Sequence, residues 1–184
     1  MNMQLNLPLE LVETVYSSES WEEQFTTMLK IAHFIAQQPL LKHYKTNMLD
    51  RTIRGASDIL SCETTRVHNN TQSMIQWCLL WTEDAQRLYW EHKQSTHPKT
   101  VAMRNANKKR YWSVEHPHPI IEVKQLLLDG CSFNELKDWM YEYGRAVIVS
   151  QAELAALPQL GKDRYEQLGI RFGRFDPATL TRPR

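Results

Sequence analysis

Three times in this chain a serine stands three residues ahead of a glutamate at the head of an apolar run: Ser20 with Glu23, Ser132 with Glu135, and Ser150 with Glu153. At that spacing the serine hydroxyl can accept a first-turn N–H while the glutamate reaches back to the serine N–H, so each pair marks a helix start. The residues that follow keep a helical period. Trp21, Phe25, Met28, Ala32 and Ile35 line one face, as do Leu49, Ile53, Ala56 and Leu60, and then Met74, Trp77 and Trp81. Thr82, Glu83 and Asp84 read as a fresh start before Ala85 and Leu88, and Pro39 reads as a stop. Pro98 sits where a first turn tolerates proline, which predicts a helix from Thr96 to about Trp112. Pro119 opens "PIIEVKQLLLDG" and Gly130 closes it, and Phe133, Leu136, Trp139, Met140 and Tyr143 share a face of the helix after that.

Strict alternation is nearly absent. The fold class expected is therefore all-α: a multi-helix bundle with a smaller C-terminal helical part. Only "AVIV" (146–149) and "IRFGRF" (170–175) break the helical rule, and they suit one short two-stranded ribbon. Two prolines in "SVEHPHP" suggest a linker. The expected division is an N-terminal helical domain over 1–113 and, over 119–184, a helical hairpin part whose final "DPATLTRPR" is a loose basic tail.

At 184 residues and 42% hydrophobic, the chain can bury a core without disulfides or metal. Its three cysteines, Cys62, Cys78 and Cys131, are odd in number and show no C-x-x-C spacing, which argues against a disulfide or zinc framework. No apolar run of about 18 residues and no secretory leader is evident, so a cytoplasmic protein without membrane contact is expected. Phosphate-binding glycine loops, nucleophile elbows and H-E-x-x-H are missing, so no enzyme, cofactor or metal is expected. "EHPHP" groups Glu115, His116 and His118, but metal ligation needs three or four converging groups and titrating linker histidines are the simpler reading.

Net charge is only +1, yet it is unevenly spread. The first 29 residues hold five Glu and no Lys or Arg; residues 93–112 hold six Lys or Arg and no acid; residues 162–184 hold six basic residues against three acidic ones. Separated charge of this kind suits a molecule that holds other macromolecules. The densest stretch is "RNANKKRYW". On a helix, Arg104, Lys108 and Tyr111 share an arc of about 60°, with Trp112 and Lys109 further around and Ala102, Met103 and Ala106 on the other side. Cations that displace counterions and rings that stack on unpaired bases make Arg104, Lys108, Lys109, Arg110, Tyr111 and Trp112 the nucleic-acid candidates, with Arg171 and Arg174 as a second patch. The opposing reading has the lysines complementing a helix C-terminus and Trp112 in the core. "LLLDGCSFNELKDWMYEYG" has helix-turn-helix form, but Glu135, Asp138 and Glu142 against Lys137 would repel phosphates, so a structural or protein-binding hairpin is favoured.

The stretches "LPLELVETVYSSESWEEQFTTMLKIAHFIAQQPLLKHY", "WEHKQSTHPKTVAMRNANKKRYW" and "GCSFNELKDWMYEYG" resemble the replication protein B family of temperate tailed phages. The likeness covers most of the chain and carries no catalytic signature, so no residue role transfers by position. It implies a DNA-replication accessory protein, a loader or adaptor that binds the hexameric replicative helicase of a bacterial host and meets single-stranded or origin DNA. The alternatives are a helix-turn-helix transcription regulator, and an inhibitor of a host enzyme that binds no nucleic acid.

Overall fold

The computed structural model describes residues 8–11, 13, 20–65, 74–75, 77–93, 111–158 and 163–175. In chain order its main elements are α1 (Trp21–Gln37), α2 (Lys42–Cys62), β1 (Leu80–Thr82), α3 (Glu83–Lys93), β2 (Trp112–Glu115), α4 (Ile120–Leu128), α5 (Phe133–Tyr143), β3 (Val147–Ser150), α6 (Gln151–Ala156), α7 (Arg164–Gln167) and β4 (Phe172–Arg174). They divide into two compact units, Met1–Arg66 with His118–Arg145, and Val67–Pro117 with Ala146–Arg184. The division expected at 114–118 coincides with one crossing, between Pro117 and His118. The units are nevertheless interleaved along the chain, because α4 and α5 complete a core begun by α1 and α2.

The first unit is helical and follows its periodicity. Phe25, Leu29, Ala32 and Ile35 of α1 meet Leu49, Ile53, Ala56 and Leu60 of α2, with Ile120, Val123 and Leu127 of α4 and Leu136 and Met140 of α5 closing the core. Each such side chain contributes about 1.5–3 kcal/mol on burial. Ser20 and Ser132 cap α1 and α5 as their spacing predicts, and Ser132 with Glu135 forms the full reciprocal box. Gly130 sits at φ 89°, and the N–H groups of Gly130 and Cys131 return to Leu127 and Leu126, so glycine ends α4 in a Schellman turn. Where α1 and α2 cross, a Cβ on Gly55 would lie 2.8 Å from Met28 Cε. The far end of α2 is tied down by polar bonds: Ser57 donates to the Gly144 carbonyl (2.5 Å), and Arg145 donates to the Leu60 carbonyl (2.6 Å) and pairs with Glu63 (3.0 Å).

The second unit corrects the all-α expectation. The molecule is helix-dominated, but β1 to β4 form one mixed sheet in the order β2-β3-β1-β4. β3 runs parallel to β1 and antiparallel to β2, and β4 runs antiparallel to β1. Thus 146–149 and 170–175 do not pair with each other; both need the β1 segment, which "WCLLWT" hides inside a helical spacing. β3 is buried along its whole length, which is why it reads as an unbroken apolar run and not an alternating one. Trp81, expected on a helix, is fully buried in β1.

The sheet is covered on both faces. Val147, Val149 and Leu80 face Leu154, Leu157, Tyr165 and Ile170, from α6, α7 and the turns that follow them. Trp81, one residue from Leu80, points the other way into an aromatic cluster. Its ring lies 5.0 Å from Phe175, 5.8 Å from Tyr89 on α3 and 6.2 Å from Trp112. Both buried indoles are satisfied, Trp81 donating to the Cys78 carbonyl (2.8 Å) and Trp112 to the Ala85 carbonyl (3.1 Å).

Candidate nucleic-acid and partner surfaces

Trp112 is the clearest correction among the site residues. It is 2% exposed, its N–H is bonded to α3, and it belongs to a strand and not to the end of a helix. A buried ring cannot stack on a base. Tyr111, just before it, is half-buried and edge-on to Trp112 at 5.8 Å. Arg104, Lys108, Lys109 and Arg110 lie outside the described residues. Trp112 itself pairs with Ser150 at the start of β2.

Arg171 and Arg174 are both exposed. They flank Phe172 on β4, an outer strand of the described sheet. Phe172 is 43% exposed and its ring meets Tyr165 edge-on at 5.7 Å. Arg174 falls on the same strand face as Phe172 by alternation. A cation beside a part-exposed ring on an outer strand provides phosphate attraction and a stacking surface together. The same pattern also discourages edge-to-edge strand pairing.

The register brings Tyr111 and Arg171 to one end of the sheet. Ser150 ends β3 and Thr82 ends β1; Trp112 lies opposite the first and Phe172 opposite the second. Tyr111 and Arg171 therefore emerge at the carboxyl end of the parallel pair. They lie just ahead of β2 and β4, strands three spacings apart, or about 14 Å.

Between those edges, the sheet end is acidic and internally bonded. α3 leaves β1 toward the tryptophan face and α6 leaves β3 toward the valine face, an arrangement that in open sheets often forms a ligand crevice. Here Thr82 donates to the Glu153 carboxylate (2.6 Å), which also accepts the Ser150 N–H (2.9 Å). The Ser150 hydroxyl, and after it the Arg87 guanidinium, hold the Asp84 carboxyl below its ordinary range, against a smaller opposing effect of burial. Arg87 also pairs with Glu91. The Thr82 hydroxyl accepts the Ala85 N–H at the start of α3 (3.3 Å) and the Ser150 hydroxyl accepts the Glu153 N–H at the start of α6 (3.1 Å), so side chains of the chain itself already cap both helix N-termini.

Sequence reading missed one buried ion pair. Arg164 is 7% exposed; its guanidinium meets Glu115 at 2.9 Å and the His116 carbonyl at 2.6 Å, tying the end of β2 to α7. Arg164 Nε and the Tyr165 hydroxyl have no hydrogen-bond partner among the described residues. Burial, and then the Glu115 charge, push the Tyr165 hydroxyl well above the usual phenol range. In "EHPHP", Glu115 is thus taken by Arg164, while His118 packs on Tyr143 with ring centroids 4.5 Å apart. Among the described residues no group of three or more His, Cys, Asp or Glu converges to hold a metal ion, and no helix is long and apolar enough to cross a membrane.

The first unit carries the acidic surface. Glu135, Asp138 and Glu142 are exposed on α5, with Tyr141 41% exposed among them and Lys137 lying 5.9 Å over the Tyr141 ring. The α4–α5 hairpin exists as the helix-turn-helix pattern predicts, and its second helix presents carboxylates outward.

Comparison with known proteins finds no matching family, curated relative or solved structure.

Proposed function

We propose that this chain is a non-enzymatic adaptor of DNA replication in a bacterial host cytoplasm, a phage-type loader of the hexameric replicative helicase. On this reading the acidic outer face of α5 meets the helicase, and the cationic segments joined to the sheet hold single-stranded DNA. The observation that carries it is the register of the sheet. Tyr111, which ends the run containing Arg104, Lys108, Lys109 and Arg110, emerges at the same sheet end as Arg171. The strands that follow Tyr111 and Arg171 are three spacings, or about 14 Å, apart. Trp112 has no part in the contact.

A loader without a nucleotide site must work by binding energy, which requires it to prefer one ring conformation of the helicase. The acidic α5 face also weighs against the regulator alternative, since a recognition helix that presents Glu135, Asp138 and Glu142 meets phosphates with like charge.

Size-exclusion chromatography of the full chain with the host replicative helicase at micromolar concentration tests the reading. Co-elution is expected, and Asp138→Lys should weaken it. Separate peaks would reject the loader assignment. Replacing Lys108 and Lys109 with glutamine should lower the salt slope of oligonucleotide binding by about 1.4, the value for two lost single-strand phosphate contacts.

A further inference from the structure

The α4–α5 hairpin holds apolar side chains out of its own core. At 100° per residue Ile121, Gln125 and Leu128 of α4 fall within about 60°, and Ile120, Val123 and Leu127 within another 60°, the two arcs centred roughly 130° apart. The second set is buried in the core. The first is in solvent, with Ile121 61% exposed, Leu128 36% exposed and Gln125 exposed between them. Spaced i, i+4 and i+7, they form a ridge about 10 Å long. Single exposed apolar residues are ordinary, but a pair at this spacing on one face is the pattern by which helices recognise other helices.

Contacts fix what lies on either side of the ridge. Lys124, on one flank, bonds Asp50 of α2 (2.9 Å). Glu122 and Asp129 share the opposite flank, within about 20° of each other, and so lie toward α5. On α5, Glu135, Asp138 and Glu142 fall within about 60°. Tyr141, to one side of them, meets Phe25 of α1, and Tyr143, to the other, meets His118 just ahead of α4. The groove between α4 and α5 is therefore lined by acids of both helices, with the apolar ridge along its α4 lip. Among the described residues none of these five carboxylates forms an ion pair. Glu135 and Asp129 accept from neutral donors, the Ser132 N–H (2.7 Å) and the Gln125 amide (2.7 Å), which leave their charge in place. Residues 119–144 hold only two lysines against them. Both are engaged away from the groove, Lys124 with Asp50 and Lys137 over the Tyr141 ring at 5.9 Å.

We infer that this groove takes a basic amphipathic helix of a partner protein, with the apolar residues of that helix on Ile121 and Leu128 and its Lys or Arg residues over the carboxylates of α4 and α5. The ridge sets the binding mode, since the furrow between two packed helices suits the side-chain rows of a third. The charge beside it selects the occupant. Nucleic acid and anionic lipid carry the same sign as the groove. A second copy of this chain would bring the same five carboxylates against their own like, with Lys124 already held by Asp50. A basic helix covers the ridge and meets opposite charge at once. The inference deepens the adaptor reading, on which its choice of a protein partner rests, by naming the kind of segment that the acidic α5 face receives.

The test is fluorescence anisotropy of the full chain with a labelled Ala-rich peptide of about 16 residues, long enough to form a helix by itself, with Leu at i, i+4, i+7 and i+11 and Lys on both flanks. Saturable binding at micromolar concentration is expected, weakening as salt rises. The same peptide with Glu in place of Lys should not bind, and one with Ser in place of Leu should bind about tenfold more weakly or worse. Ile121→Ala and Leu128→Ala trim exposed side chains and should each weaken binding about fivefold. Asp138→Asn removes charge with little change of shape; it should weaken binding about threefold and flatten the salt dependence. Circular dichroism checks that the variants fold. No binding of the Lys peptide, equal binding of the Glu or Ser peptide, or alanine variants within about twofold of the parent would each overturn the inference. So would a parent dimer in sedimentation equilibrium that Ile121→Ala dissociates, since a second copy would then cover the ridge. The helicase experiment is separate. Peptide binding without co-elution keeps the groove and rejects that helicase as its occupant, and co-elution without peptide binding keeps the loader reading and rejects the groove.

Discussion

The two units solve the same burial problem by different means. In the helical unit almost every core contact is apolar, and α1 and α5 are capped by serines next to them in sequence. In the sheet unit the strands are three or four residues long, too short to carry themselves. That unit is held by contacts distant in sequence: Trp81 with Trp112 and Phe175, Thr82 with Glu153, Arg164 with Glu115. The lesson is that the helical unit rests on many interchangeable contacts, while the sheet unit concentrates its stability in a few side chains whose partners are fixed.

The largest expected effect follows from that contrast. Arg164→Ala leaves the half-buried Glu115 carboxylate without its cation and should cost about 3 kcal/mol. Arg164→Met together with Glu115→Gln should recover most of the loss, because removing both charges removes the desolvation penalty as well. Urea unfolding followed by tryptophan fluorescence is the measurement, since four of the six tryptophans belong to the sheet unit. A cost under about 1 kcal/mol for Arg164→Ala would mean the ion pair is not what joins β2 to α7, and the contrast would weaken.

The same contrast explains what could be read in the sequence. α1, α2, α4 and α5 announce themselves because helical period and capping are local: Ser20, Ser132, Ser150, Pro119 and Gly130 all act where their spacing predicts. The sheet is non-local. β1 is a single turn's worth of "LWT" between helical residues, and Trp81 satisfies a helical spacing with Trp77 by coincidence. Trp112 looked like the end of a cationic helix because its neighbours in sequence are Lys and Arg, and nothing nearby signals that Ser150 is its partner. At the candidate site Arg171 and Arg174 were legible, since "IRFGRF" alternates. Arg164 was hidden for a third reason: a lone arginine in a polar stretch gives no sign that Glu115, 49 residues away, will bury it.

Among the described residues the helical unit buries one carboxylate, which supplies the next prediction. Asp58 on α2 is 6% exposed, and burial raises its pKa to about 7, with Arg54 one turn away pulling it back. The folded state therefore binds this proton more tightly than the unfolded chain does. The resulting stabilisation is complete below the ordinary aspartate pKa of 3.8 and is lost as pH rises from there to about 7. After relaxation the effect should be about 2 kcal/mol. Asp58→Asn should remove that slope, so that the variant gains on the parent between about pH 4 and about pH 7 in urea midpoints. Parallel pH profiles for the two proteins would show that Asp58 is solvated and that its carboxylate plays no part in the helical unit's interior.

The smallest effect tests whether the units differ even where they use the same device. Ser132 and Ser150 form identical capping boxes, one in each unit. Ser132 caps α5 and bonds only within its box, so Ser132→Ala should cost about 1 kcal/mol. Ser150 caps a six-residue helix, yet it lies at the meeting point of β3, α6 and β2. Its hydroxyl is the strongest influence holding Asp84 low, and its N–H shares Glu153 with Thr82. Ser150→Ala should therefore cost more than Ser132→Ala by about another 1 kcal/mol, with the Asp84 pKa rising toward its ordinary value. Carboxylate titration by NMR alongside urea melts separates the two contributions. Equal costs with an unmoved Asp84 would reduce Ser150 to an ordinary cap, and the sheet unit would then depend less on distant polar contacts than its geometry implies.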